Sequence, residues 1–147
     1  MENKTAQVDE MTLLEKVIFL HNVELLSALS PEQLARIALI ARELRVAKDT
    51  VLIREGDLSD CLYIIISGKV AVESAGERIL DAGEKEVIGT WALLDDEPMI
   101  VTASVTEDAH LICIERGDFY DLLADHIEIT QAMFRVLARR IRKLVEQ

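Results

Sequence analysis

The spacing of apolar side chains changes twice along the chain. Residues 1–10 are polar and without pattern, and are expected to form a flexible leader. Leu13, Leu14, Val17 and Ile18 then recur at helical intervals behind Thr12 and Glu15, which have the spacing of a capping box. A short helix is expected, ending near His21. Further on, Ser30 stands as an N-cap, Pro31 takes the first helical position, and Leu34, Ile37, Ala38, Ala41 and Leu44 form one stripe. This predicts a second helix, so that helices occupy 12–44.

After Val46 the period shortens. The runs Thr50–Arg54, Leu62–Ile66, Lys69–Glu73, Arg78–Leu80, Val101–Thr106 and Leu111–Glu115 are rich in β-formers, and Gly56-Asp57, Ser67-Gly68, Gly76 and Gly83 punctuate them. They predict an antiparallel sandwich or barrel of short strands over 46–115. Helical spacing then returns. Asp118 is placed to cap 119–124, and Asp125 with Glu128 repeats the capping-box spacing ahead of a long helix, giving C-terminal helices over 118–146. The pattern describes one α+β domain over 11–147, with no internal repeat.

Composition narrows this picture. Half of the 147 residues are hydrophobic but only 4% are aromatic, so the core must be built of Leu, Ile, Val and Ala. The longest apolar runs, such as Leu62–Ile66, are far too short to span a bilayer, and nothing at the start resembles a secretory signal. A cytoplasmic protein without membrane insertion is expected. Cys61 and Cys113 lie far apart in sequence, without zinc or redox spacing, and read as small buried hydrophobes. A net charge of −11 opposes general attraction to nucleic acid. The exception is the last helix, where Arg135, Arg139, Arg140, Arg142 and Lys143 face one acid, Glu146.

From Arg54 to Val72 the chain reads REGDLSDCLYIIISGKVAV. Its Glu55-Gly56-Asp57 turn, the aromatic Tyr63 and the Ser67-Gly68 turn resemble the cyclic nucleotide-binding domain family. The likeness continues through AGEKEVIGTWALLDDEPMIVTASV and ERGDFYDLLADH, and back to ELLSALSPEQL, so it covers the chain from about Leu13 onward. It implies a β-roll of the jelly-roll type, flanked by N-terminal and C-terminal helices. It also implies a ligand cassette at Gly89, Thr90, Trp91, Ala92, Leu93, Val101, Thr102 and Ala103. Gly89, Ala92, Leu93, Pro98, Thr102, Ala103 and Val105 keep the family pattern. The two charged positions do not.

Thr90 stands where the resemblance places a Glu for the ribose hydroxyl, and Val101 where it places an Arg for the cyclic phosphate. Arg offers a phosphate two charge-assisted hydrogen bonds, whereas Val leaves a desolvated anion against an apolar wall. Charged hydrogen bonds are worth roughly 1.5 to 3 kcal/mol each, so losing both partners costs about 3 to 6 kcal/mol, on the order of 10² to 10⁴ in affinity. Amides around Trp91 to Leu93 and the hydroxyls of Thr90, Thr102 and Ser104 remain as donors. No cofactor is expected, and cAMP and cGMP are disfavoured.

Other features have plain readings. Trp91 reads first as core packing and second as a side chain filling the vacated site. His21, His110 and His126 share no metal-ligand spacing, and Asp95, Asp96 and Glu97 beside Pro98 read as a solvated turn rather than a cation site. No nucleophile triad or phosphate loop appears, so an enzyme ranks last. Ile129, Met133, Val136, Leu137, Ile141 and Leu144 make a stripe on the last helix that can cover the core and support a homodimer. In transcriptional members the equivalent helix leads into a helix-turn-helix; with the sequence stopping at Gln147, no DNA-reading part is expected.

The leading expectation is therefore a non-catalytic regulatory module that works through a protein partner or a larger assembly. The alternative is a sensor that binds a cyclic nucleotide or another small ligand in the same pocket.

Overall fold

Leu62-Tyr63-Ile64-Ile65 and Leu111-Ile112-Cys113-Ile114 are too apolar for strands with one wet face. In the computed structural model, which describes residues 5–146, both faces are covered. Leu62, Ile64, Ile112 and Ile114 join a core beneath the helices, while Ile65 and Leu111 join a second apolar core within the curled sheet. The period of two thus feeds two cores from the same strands.

In chain order the elements are β1 (Thr5–Val8), α1 (Leu13–Leu20), a 3-10 turn (Glu24–Leu26), α2 (Pro31–Ala38), β2 (Arg42–Val46), β3 (Val51–Ile53) and β4 (Cys61–Ser74). Then follow β5 (Glu77–Ala82), β6 (Val87–Ile88), α3 (Thr90–Leu94), β7 (Thr102–Glu115), α4 (Arg116–Asp125) and α5 (Ile127–Val145). The seven strands form one antiparallel sheet in the order β1-β2-β7-β4-β5, with β3 on β7 and β6 on β4. With its flanking helices this is the expected antiparallel roll. Val87 to Val105 holds a strand end, a short helix and a turn, in that order.

β4 and β7 each run for 14 residues, pairing from Cys61↔Glu115 to Glu73↔Thr102. Strands that long must bend to enclose a core, and the bend falls at Gly68. The register shifts on both sides of it, and its φ is +94°. A Cβ there would lie 2.5 Å from the Asp108 carbonyl oxygen and 2.6 Å from the Ala109 Cα, so only glycine fits. The sequence reading made Ser67-Gly68 a turn between two strands; it is a bend within one, and Val101–Thr106 and Leu111–Glu115 are likewise parts of a single strand.

Four boundaries differ from expectation. Helix α4 begins at Arg116, so Asp118 lies in its first turn and does not cap it. Helix α2 ends at Ala38, and Leu44, assigned above to its stripe, lies in β2. Arg42–Val46 is held as a strand by pairing with β1 on one side and β7 on the other, which outweighs local helical spacing. Thr5–Val8, inside the expected leader, is that outer strand, with Thr5 opposite Val46; residues 1–4 of the leader lie outside the described residues. At the other end Asp125 closes α4 instead of capping α5, which starts after His126 without a side-chain cap. Thr12 and Ser30 do form capping boxes, with Glu15 and Gln33.

Glu43 is the buried carboxylate of this frame, its side chain wholly inaccessible. Its Oε1 accepts the amides of Glu10 (3.0 Å) and Met11 (2.8 Å), and its Oε2 lies 2.6 Å from His110 Nε2. Arg45 holds Glu10 from outside with two hydrogen bonds, at 2.7 and 3.0 Å. Together they fasten the link between β1 and α1 onto the sheet.

Candidate functional site

The cassette begins at Gly89, between β6 and α3. Its φ of +82° is left-handed, and a Cβ would meet the Cys61 carbonyl oxygen at 2.6 Å. This glycine turns the chain out of the sheet where β4 passes directly behind. Gly89→Ala is expected to lower stability by roughly 2 kcal/mol or more, because the left-handed conformation is penalised and the obstacle is backbone. A urea titration checks this; a midpoint equal to the natural chain's would show that the turn can relax.

Helix α3 then sorts its side chains three ways. Ala92 enters the roll core, Leu93 enters the core beneath the helices with Leu94 half-buried against it, and Trp91 faces outward, with Thr90, Trp91 and Leu94 all lining a groove outside the roll. Trp91 is 65% exposed, so it neither packs in the core nor fills the roll, against both readings made of it. At 3.6 residues per turn it points about 100° away from its neighbour Ala92, clear of the roll core. The Ala92 amide, counted above among the remaining donors, is used by the Gly89 carbonyl at 2.9 Å.

Beyond α3, Asp95 Oδ1 accepts the Glu97 amide at 3.1 Å, so the acidic cluster folds as an Asx-type turn. Met99 pairs through its backbone with Gly56 (2.8 Å) and Asp57 (2.9 Å), which ties the cassette loop to the turn between β3 and β4. Val101 is half-buried and packs against the roll core, whose nearest members include Ile88, Ala92, Met99 and Ala103. Thr102 Oγ1 accepts the Glu55 amide at 3.0 Å. The roll therefore offers an apolar wall at Val101, the position that the resemblance assigns to the phosphate contact, and no Lys or Arg occurs between Glu86 and Val105.

Two residues that sequence reasoning missed hold α3 from α4. Arg116 Nη1 donates to the carbonyls of Ala92 (3.2 Å) and Asp95 (2.5 Å), and the Tyr120 hydroxyl donates to Leu94 O at 3.3 Å. A guanidinium at the carbonyl end of a helix is favourably placed. Only the start of α4 immediately after β7 brings it there, and no local spacing announces that.

Cys61 and Cys113, distant in sequence, are brought close on one face of the β4–β7 pair, where Cys113 sits opposite Tyr63. Hydrogen bonding between the thiols, followed by burial, raises the pKa of Cys61, and burial raises that of Tyr63. Neither group is poised to ionise. His110 is bound to Glu43, and His126 lies between Arg36 and Glu128 at 3.4 and 3.5 Å.

A groove of about 470 Å³ lies outside the roll, between the 3-10 turn, the Lys85–Val87 segment, α3 and α5. It had no counterpart in the sequence reading. Among the described residues no helix is long and apolar enough to cross a membrane.

The roll, its cassette and the bracketing helices define the fold of known nucleotide-sensing domains. The sequence profile described as Cyclic nucleotide-binding domain matches residues 43–126, more than half of the chain, and the chain belongs to that family. It is 33% identical over 97 residues to a CRP-like cAMP-activated global transcriptional regulator of Mycobacterium tuberculosis, a match covering 60% of this chain and 42% of the relative. It is 30% identical over 105 residues to a cAMP-dependent protein kinase regulatory subunit of Hypocrea atroviridis, covering 71% of this chain and 23% of that one. Among solved structures, the N-terminal domain of a transcriptional regulator from Streptomyces coelicolor superposes with a TM-score of 0.79 at 29% identity, covering 87% of this chain and 93% of that one. The chain spans less than half the length of these two curated relatives, which are longer, regulatory proteins.

Proposed function

We propose that this chain is a non-catalytic regulatory module whose cassette has lost its charged anchors and which signals through protein contacts within a larger cytoplasmic assembly. One observation supports the reading: Val101, at the position that the resemblance assigns to the phosphate-binding Arg, packs against the apolar roll core, and Thr90 stands where it assigns the sugar-binding Glu. A cyclic phosphate there would lose its water and gain no cation. Calorimetric titration with cAMP and with cGMP tests it. Dissociation constants in the millimolar range or no heat are expected, and micromolar binding by either would overturn it. The alternative, a working cyclic nucleotide sensor, is favoured by the likeness to two relatives whose names carry cAMP.

Helix α5 supplies the contact surface. Its first half buries Ile129, Ala132, Met133 and Val136, but Phe134, Ile141, Leu144 and Val145 are 63% to 78% exposed. Ile141 stands seven residues beyond Phe134, and Leu144 and Val145 three and four beyond Ile141, which is the spacing of a helix seam awaiting a second helix. A homodimer paired along α5 covers it. Ile141→Lys with Leu144→Lys is expected to yield a folded monomer, and light scattering that finds the natural chain monomeric at high concentration would remove this surface from the proposal.

A further inference from the structure

The groove between α3 and α5 combines features that the roll interior lacks. Its lining is mixed, with apolar wall from Val87, Trp91 and Leu94 on the cassette side and Val136 and Leu137 on α5, and polar wall from Asn22 and Thr90. Its volume of about 470 Å³ suits a small molecule rather than a helix. Four charged side chains stand at its rim, and three are already committed. Arg140 pairs with Glu24 at 3.1 Å, and Glu86 Oε1 accepts the Gly83 amide at 3.0 Å. The fourth is Lys85, whose ammonium has no hydrogen-bond or ion-pair partner among the described residues.

The backbone at Lys85 is tightly held. Its φ is +71°, and its amide donates to Ile65 O at 2.7 Å while Glu86 N donates to Gly83 O at 3.0 Å. A lysine is thus kept in a conformation that glycine would adopt more easily, with its charge at the groove mouth.

We propose that this groove is a ligand site, separate from the roll interior, for a small amphipathic monocarboxylate. The apolar body lies against Trp91, Leu94 and Leu137, and the carboxylate pairs with Lys85. One available cation matches one negative charge. A dianion such as a phosphate monoester would meet Glu24 and Glu86 as well, in a chain of net charge −11. The ligand would bridge the cassette helix and α5, so its binding would bias the α5 surface without any contact inside the roll.

Trp91 is the only tryptophan, so its emission reports on this groove alone. Decanoate, titrated into the full chain, is expected to shift Trp91 fluorescence saturably with a dissociation constant below about 1 mM. Lys85→Gln should weaken decanoate about tenfold while leaving the response to decanol, the uncharged counterpart, unchanged. The response should persist in the Ile141→Lys, Leu144→Lys variant, which separates the groove from the exposed seam. Absence of saturation by 5 mM decanoate, on the order of the weakest affinity of interest, would overturn the site. So would an equal response in Lys85→Gln, loss of the response in the seam variant, or a Trp91 response to cAMP instead of decanoate. Failure here leaves the calorimetric test of the roll untouched, since that titration uses a different ligand, a cyclic nucleotide.

Discussion

Thr90→Glu combined with Val101→Arg is expected to bind cAMP or cGMP at least about 100-fold more tightly than the natural chain. The backbone that the resemblance assigns to the cassette has a defined shape. Gly89 makes its left-handed turn against Cys61, Ala92 and Ala103 sit in the roll core, and Met99 is pinned to the turn between β3 and β4. What is missing is charge at two tips, each worth roughly 1.5 to 3 kcal/mol once a charged hydrogen bond forms. Val101 is half-buried at the start of β7, so an arginine there can keep its stem on the apolar wall and extend its head. Val101→Arg alone should recover part of the affinity. Thr90→Glu alone should recover little, because a lone carboxylate repels the phosphate.

The exposure of Trp91 simplifies this experiment, since the indole does not occupy the roll and needs no shortening. If the double variant binds weakly, Met99 in the roll core is the side chain to reduce next. A doubly substituted chain that folds normally, with or without Met99→Ala, and still gives no heat with either nucleotide would show that the loop itself has changed shape. The reading of a vacated pocket would then be dropped.

The strands of the roll were legible from their short period and the glycines between them, whereas Gly89, the run to Leu94, and Val101 to Ala103 were singled out by the family resemblance alone. Trp91 was misplaced because a helix of five residues gives no periodicity to say which way a side chain points. β2 was misread as helix because its buried residues, Glu43 and Val46, are three apart and one of them is a carboxylate, which argues for solvent. Thr5–Val8 was read as leader because an edge strand is held by main-chain bonds that leave no apolar pattern. Arg116 acts across elements, from α4 to the end of α3, and nothing in its neighbourhood marks it.

Glu43 gives the largest stability effect expected. Glu43→Ala removes the acceptor for the Glu10 and Met11 amides and leaves His110 facing an empty buried site. Breaking a buried pair costs about 3 to 5 kcal/mol, a large share of the 5 to 15 kcal/mol typical of a domain. Glu43→Gln keeps the volume and one acceptor oxygen, so a smaller loss is expected. The pH dependence distinguishes charge from shape. Burial alone would raise the carboxyl pKa of Glu43, but the Met11 amide, His110 and the Glu10 amide outweigh it, and the value falls below the ordinary 4.5. The folded chain then binds its proton less readily than the unfolded one, so this stabilisation is complete above pH 4.5 and is lost as pH falls through the lowered value. Glu10, hydrogen-bonded to Arg45, and Glu15, bonded to Thr12, shift in the same direction and add to the same acid limb. Urea titrations of the natural chain between pH 7 and about pH 3 should therefore lose stability toward acid, and Glu43→Gln should flatten that limb while keeping the part due to Glu10 and Glu15. A Glu43→Ala chain within about 1 kcal/mol of the natural one at pH 7 would show that the amides and His110 find water instead, and the latch between β1, α1 and the sheet would not be a source of stability.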